Sequence, residues 1–124
     1  MRLFRTILPV SDIGKAEAFY ARLLGTTGRC VSPGRHYFDV GVILALVDPR
    51  ADGDDWDPRP NQDNVYFAVR DLEAVHRRAA GLSALDPDMG AIETRPWGER
   101  SFYARDPFGN PLCFVDEETV FTGE

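Results

Sequence analysis

The chain has little of the chemistry that marks most classes of function. Its 124 residues include only two cysteines and two histidines. Cys30 and Cys113 stand far apart and outside any CxxC spacing, so neither a disulfide scaffold nor a cysteine-based zinc site is expected. With only His36 and His76 available and no Ser–His–Asp order, a catalytic triad has little material. No Gly-rich phosphate loop and no dinucleotide-binding glycine pattern occurs, and no resident cofactor is expected. No stretch approaches the ~20 apolar residues of a membrane span. The opening residues 1–19 are interrupted by Pro9 and Asp12 and lack the apolar run of a signal peptide, so a cytoplasmic protein with reduced thiols is expected. Basic runs are missing too. The formal net charge is −6, which disfavours nucleic acid, because phosphate contacts need positive charge. The same acidity makes a cationic small ligand easier to attract.

What is present suits one globular domain: 44% hydrophobic residues in a chain long enough to bury a core. "LFRTILPV", Leu3 to Val10, reads as a strand. Asp12 is a good N-cap for a helix whose Ile13, Ala16, Tyr20, Leu23 and Leu24 share a face, and Gly25 ends it. "TTGRCV" predicts a short strand, and "RHYFDVGVILALVDP" predicts two strands around a turn at Gly41. The Pro-, Asp- and Gly-dense stretch 48–63 predicts a loop. The order then recurs: "NVYFAV" as strand, Asp71 as N-cap, a stripe of Leu72, Val75, Ala79 and Leu82, and a loop over "SALDPDMGA". Three strands follow in "IETRPW", "RSFYARD" and "PLCFVD", the last two joined by a "DPFGN" turn. His76 lies among the polar residues of the second helix and is read as solvated.

The two halves match as a repeat. Val10, Asp12 and Ile13 correspond to Val69, Asp71 and Leu72 at an offset of 59, and Gly41, Leu44, Val47 and Asp48 to Gly109, Leu112, Val115 and Asp116 at an offset of 68. The fold expected is α+β: two βαβββ modules forming a cup-shaped open sheet with the helices outside. Period-two alternation assigns side chains to faces. Phe4, Leu8, Val10, Phe67 and Val69 go to the helix side. Leu3, Arg5, Ile7, Asn64, Tyr66, Ala68, Ile43, Ala45, Val47, Pro111, Cys113 and Val115 go to the cup. The repeat pairs Arg5 with Asn64 and Ala45 with Cys113, so these four are expected to converge at its centre.

"LPVSDIGKAEAFYARLLG", "VYFAVRDLEAVHRRA" and "RPWGERSFYARDPFGNPLCFVD" together resemble the vicinal-oxygen-chelate superfamily of glyoxalases, extradiol dioxygenases and bleomycin resistance proteins. The step Trp97–Gly98 before a strand that ends in Asp106–Pro107–Phe108–Gly109–Asn110 is similar to bleomycin-resistance-type members in particular. One domain is expected, with module one at 1–50, a linker at 51–62 and module two at 63–124, and the resemblance implies a homodimer whose partner helps to complete the pocket. In metal-dependent members the four convergent positions carry His, Gln or Glu around a divalent cation. Here they carry Arg5, Ala45, Asn64 and Cys113. Arginine repels a cation, alanine has no donor and asparagine is a weak ligand, so no metal is expected.

Individual residues carry alternatives. Cys113 is either an inert buried thiol or a nucleophile activated by a cation such as Arg5. Arg5 either clamps an anionic or carbonyl-bearing ligand or pairs with an acid of the cup rim. Tyr103 falls where dioxygenase-like members place an active-site tyrosine, and His36 is its approximate counterpart in the first module; both are candidates for ligand contact. Tyr66 and Trp97 supply flat apolar pocket walls or plain packing. Trp56 in the acidic loop covers either a partner subunit or a pocket. Three functions compete. The first is a metal-free binding protein that sequesters an aromatic or cationic small molecule, as in antibiotic resistance. The second is a lyase, isomerase or dioxygenase using Arg5, His36, Tyr103, Cys113 or a relocated metal site. The third is an interaction module whose cup has filled with side chains.

Overall fold

A computed structural model describes all residues, 1–124. The chain divides into two compact units, 1–61 and 62–124. Each has one α-helix, a short 3-10 turn and one open four-stranded mixed sheet, which makes the chain α+β with two modules.

In the first unit β1 (Arg5–Pro9) leads into α1 (Ile13–Leu24), and β2 (Arg29–Ser32), β3 (Arg35–Asp39) and β4 (Ile43–Val47) follow in the order β1-β4-β3-β2. β1 runs parallel to β4, as a helical crossover requires, and the other pairs are antiparallel. The helix begins where Asp12 accepts a hydrogen bond from the Lys15 amide at 3.1 Å, and ends where the Gly25 amide donates to the Ala21 carbonyl. Such an N-cap contributes about 1 kcal/mol. The register joins Leu8 to Leu46 and Leu44 to Phe38. These four side chains and Ala16, Tyr20 and Leu23 of α1 are all fully buried. Each large apolar side chain buried in this way stabilises the fold by roughly 1.5–3 kcal/mol. Phe4 does not join them: it precedes β1, is 48% exposed, and lies beneath the Arg5 guanidinium at 4.8 Å.

The second unit repeats the plan with β5 (Val65–Val69), α2 (Leu72–Gly81), β6 (Glu93–Thr94), β7 (Arg100–Arg105) and β8 (Pro111–Asp116), in the order β5-β8-β7-β6. Asp71 caps α2 by accepting from the Ala74 amide at 3.1 Å. Buried Phe102 and Phe114 belong to an aromatic ladder that half-buried Phe67 extends. Phe67, Phe114 and Phe102 stand in register across three strands and stack with centroids 5.0 and 5.2 Å apart. His76 of α2 meets Phe102 edge-on at 4.9 Å, so this is the face the helix covers. His76 is therefore not simply solvated. Its Nε2 also lies 2.8 Å from the Gly90 carbonyl and ties the 84–91 segment to the helix. That segment, expected as a loop, lines the edge of β7: the Asp86 amide donates to the Tyr103 carbonyl and the Tyr103 amide to the Met89 carbonyl. The strand expected over "IETRPW" shrinks to Glu93–Thr94, because Pro96 and the turn at Trp97–Gly98 end the pairing.

The β7–β8 turn is built by Asp106. Its carboxylate accepts from the amides of Phe108 and Asn110 and from the Asn110 side chain at 2.7 Å, and Gly109 takes a φ of 94° that residues with a Cβ rarely adopt. The turn sets the register that brings Tyr103 opposite Cys113.

Candidate functional site

The helix-free face of the second unit follows from its ladder. One row runs Tyr66–Cys113–Tyr103 and the next Ala68–Val115–Ser101–Glu93. Both rows alternate with the phenylalanine ladder and so look away from α2. Arg95, just past β6, lies across this face. Its Nε donates to Ser101 Oγ at 2.9 Å and its Nη2 to the Ser101 carbonyl at 3.0 Å. Its Nη1 lies 3.3 Å from Glu93, and its guanidinium sits over the Tyr103 ring at 5.0 Å. A guanidinium only 8% exposed needs such partners, and it has them.

The electrostatic consequence falls on Cys113, which is 1% exposed. Burial pushes its thiol up, and hydrogen bonds from Ser101 and Tyr103 and the Arg95 charge offset only part of that. Burial, followed by the neighbouring Cys113 and Tyr66, pushes Tyr103 up to about 12. Both groups are protonated at neutral pH. The thiolate that nucleophilic chemistry needs is therefore disfavoured at Cys113.

Beside this filled centre lies a groove of ≈ 470 Å³. Tyr66, Ala68 and Val115 form its floor, and Trp97 and Phe121 stand at its walls. Trp97 is held in the β6–β7 turn, where the Arg95 amide donates to the Glu99 carbonyl and the Gly98 amide to the Arg95 carbonyl. Phe121 belongs to the tail after β8, which is fastened by Thr119: its hydroxyl accepts from the Arg100 amide and donates to the Asp116 carbonyl. Glu99 joins the two walls, with one carboxylate oxygen accepting from the Trp97 indole N–H at 2.7 Å and the other from the Phe121 amide at 2.9 Å. Tyr66, Trp97 and Phe121 are 59%, 48% and 51% exposed, so their ring faces are open to a ligand. Trp56, by contrast, is exposed in the 48–63 loop and does not line this groove.

In the first unit Arg5, Ile43 and Asp39 stand in one row of the helix-free face, and Ile7, Ala45, Tyr37 and Arg29 in the next. His36 corrects an expectation. It pairs with Leu46, itself opposite Leu8, and so belongs to the helix-covered face. Its ring tilts against Phe38 at 5.2 Å, its Nε2 is buried without a hydrogen-bond partner, and a Cβ on Gly28 would fall 2.8 Å from that nitrogen. The aromatic counterpart of Tyr103 is Tyr37, opposite Ala45 as Tyr103 is opposite Cys113. Asn64 immediately precedes β5 and is partly buried.

The four positions that the resemblance associates with a metal do not fit one. Arg5 is a cation, Ala45 offers no donor, Asn64 is a weak ligand, and the Cys113 thiol is held protonated by burial. No three His, Cys, Asp or Glu side chains are grouped to hold an ion. The residues that sequence reasoning missed are Arg95, Glu99 and Phe121 in the second unit and Arg35 and Tyr37 in the first. Alternation through "IETRPW" carried a signal for Arg95, two residues beyond Glu93 on the same face.

The model of the Glyoxalase/Bleomycin resistance protein/Dioxygenase superfamily matches residues 2–114. None of the curated proteins compared matches the chain. Among solved structures, a lactoylglutathione lyase from Agrobacterium tumefaciens is 24% identical with a TM-score of 0.70, the match covering 93% of this chain and 92% of that one. A glyoxalase/bleomycin resistance protein from Albidiferax ferrireducens T118 is 19% identical with a TM-score of 0.76, covering 92% and 98%. The Vibrio cholerae integron cassette protein VCH_CASS1 is 22% identical with a TM-score of 0.68, covering 94% of each chain. At such identities these structures share the fold.

Proposed function

Because the chain belongs to the Glyoxalase/Bleomycin resistance protein/Dioxygenase superfamily, we propose that it is a small-molecule-binding member that works without a metal and takes a planar aromatic compound between Tyr66, Trp97 and Phe121. The observation that carries this reading is the groove itself: open aromatic faces around one carboxylate, Glu99. Flat apolar walls with a single oriented polar group are what a planar ligand needs. The lone carboxylate, in a chain of net charge −6, favours a ligand carrying positive charge. Sequestration of a toxic cationic aromatic in the cytoplasm, by a homodimer, is the role this reading implies; light scattering should give the mass of two chains, and a monomer at micromolar concentration would oppose the dimer.

An enzyme reading has less support. Cys113 and Tyr103 are held protonated, His36 lies on the helix-covered face, and the family's metal positions offer no fitting donor set. The test is equilibrium dialysis of chelator-treated protein against matched cationic and anionic aromatic dyes. Binding of the cationic dye, weakened about tenfold by Glu99→Gln, is expected, since a charged hydrogen-bonded contact is worth roughly 1.5–3 kcal/mol. A stoichiometric transition metal in the purified protein, with dye binding lost on chelation, would overturn the metal-free reading.

A further inference from the structure

The helix-free face of the first unit carries a cluster that the aromatic groove does not use. Arg5 of β1 and Arg35 of β3 both direct Nη1 to the hydroxyl of Tyr37, at 3.3 and 3.0 Å. The Arg5 guanidinium also lies 5.7 Å from the Tyr37 ring centroid, and that of Arg29 5.9 Å. Arg29 is neutralised by Asp39 at 2.7 Å. Neither Arg5 nor Arg35 has a carboxylate within ion-pair distance in its own unit. Two guanidiniums thus converge on one neutral phenol.

That convergence has a cost unless something anionic joins it. Each guanidinium has five N–H donors, and the phenol oxygen engages one from each. The remaining donors form planar forks, the geometry that matches two oxygens of a carboxylate or phosphoryl group. The hydroxyl of Tyr37 can donate to the same anion. The hydrogen bond from Arg35 first, and the charges of Arg35 and Arg5 after it, hold this phenol below its usual range. Asp39 is the acid on this face, and it is engaged with Arg29.

We propose that Arg5, Arg35 and Tyr37 form an oxyanion-binding subsite for the carboxylate or phosphoryl group of a small molecule. The subsite goes beyond the aromatic groove and uses none of its residues, so either reading can fail alone.

The test is a titration of isotope-labelled protein at fixed pH and ionic strength, with inorganic phosphate in one arm and acetate in the other, followed by NMR of arginine Nε–H groups and tyrosine rings. The Arg5, Arg35 and Tyr37 resonances should move along a saturable curve with a dissociation constant on the order of 1 mM. Saturation by phosphate alone assigns the phosphoryl class, and saturation by acetate the carboxylate class. Arg5→Gln and Arg35→Gln should each weaken binding about tenfold, whereas Arg29→Gln should change it less than about twofold. Arg35→Lys, which keeps the charge and loses the fork, should fall between. Backbone spectra confirm that each variant is folded. Linear, unsaturated shifts with both probes, or undiminished affinity in both glutamine variants, would overturn the subsite.

Discussion

Cys113 shows how one side chain's surroundings decide its chemistry. It occupies a position that the family resemblance associates with metal binding, yet it is 1% exposed, with Ser101 and Tyr103 hydrogen-bonding its thiol and the Arg95 charge nearby. Burial that raises a thiol also raises a phenol, and Tyr103 reports this directly. Its folded pKa is about 12 against an ordinary 10.0. The folded protein then holds the proton more tightly than the unfolded chain. Tyr103 thus contributes stability that is fully present below about pH 10 and is lost as pH rises through about 12. Alkaline unfolding followed across this window should show less pH dependence in Tyr103→Phe than in the parent, and the parent's absorbance titration should contain one phenol ionising near 12 that the variant lacks. Equal slopes in both proteins would contradict the burial argument. Alternation signals the face of Arg95 but not its burial, because a lone arginine in a strand pattern reads as solvated; only the partners supplied by Ser101, Glu93 and Tyr103 permit it to be buried.

At the scale of the element, the local chemistry of caps and turns made the order of strands and helices readable. Asp12, Asp71 and Gly25 mark helix ends where the structure has them. Register was less legible. The repeat offsets of 59 and 68 leave the position of the extra residues open, and an intermediate offset of 67 pairs His36 with Tyr103. The structure shows that the β7–β8 turn, residues 106–110, is two residues longer than the β3–β4 turn, residues 40–42. The counterpart of Tyr103 is consequently Tyr37. A one-residue slip moves a side chain to the opposite face of a sheet, which is what separates His36 from Arg5. The longer turn depends on Asp106, which is 5% exposed and holds two amides and a side-chain amide. Asp106→Ala should destabilise the protein by about 3 kcal/mol, read as a shift in the denaturation midpoint, because it leaves buried donors unsatisfied. A change below about 0.5 kcal/mol would mean that the turn is set by Gly109 alone.

For the whole molecule, pattern and repeat identified two βαβββ modules because duplication writes the same caps, strands and turns twice. The groove was legible only in part. Alternation puts Tyr66 on the helix-free face and Trp97 reads as a pocket wall or plain packing, but Glu99 and Phe121 join them through a hydrogen bond between a turn and the tail, a contact that no periodicity encodes. In the proposed function these residues bind a planar aromatic ligand without a metal. Trp56→Phe leaves Trp97 as the single tryptophan of the chain. Titrating this variant, in the presence of a chelator, with a non-fluorescent cationic aromatic should quench Trp97 along a saturable curve. The midpoint should rise about tenfold when Phe121 is also changed to Ala, as expected for loss of a stacking wall worth ~0.5–1.5 kcal/mol beyond its buried area. An unquenched Trp97, or a midpoint indifferent to Phe121, would contradict the account.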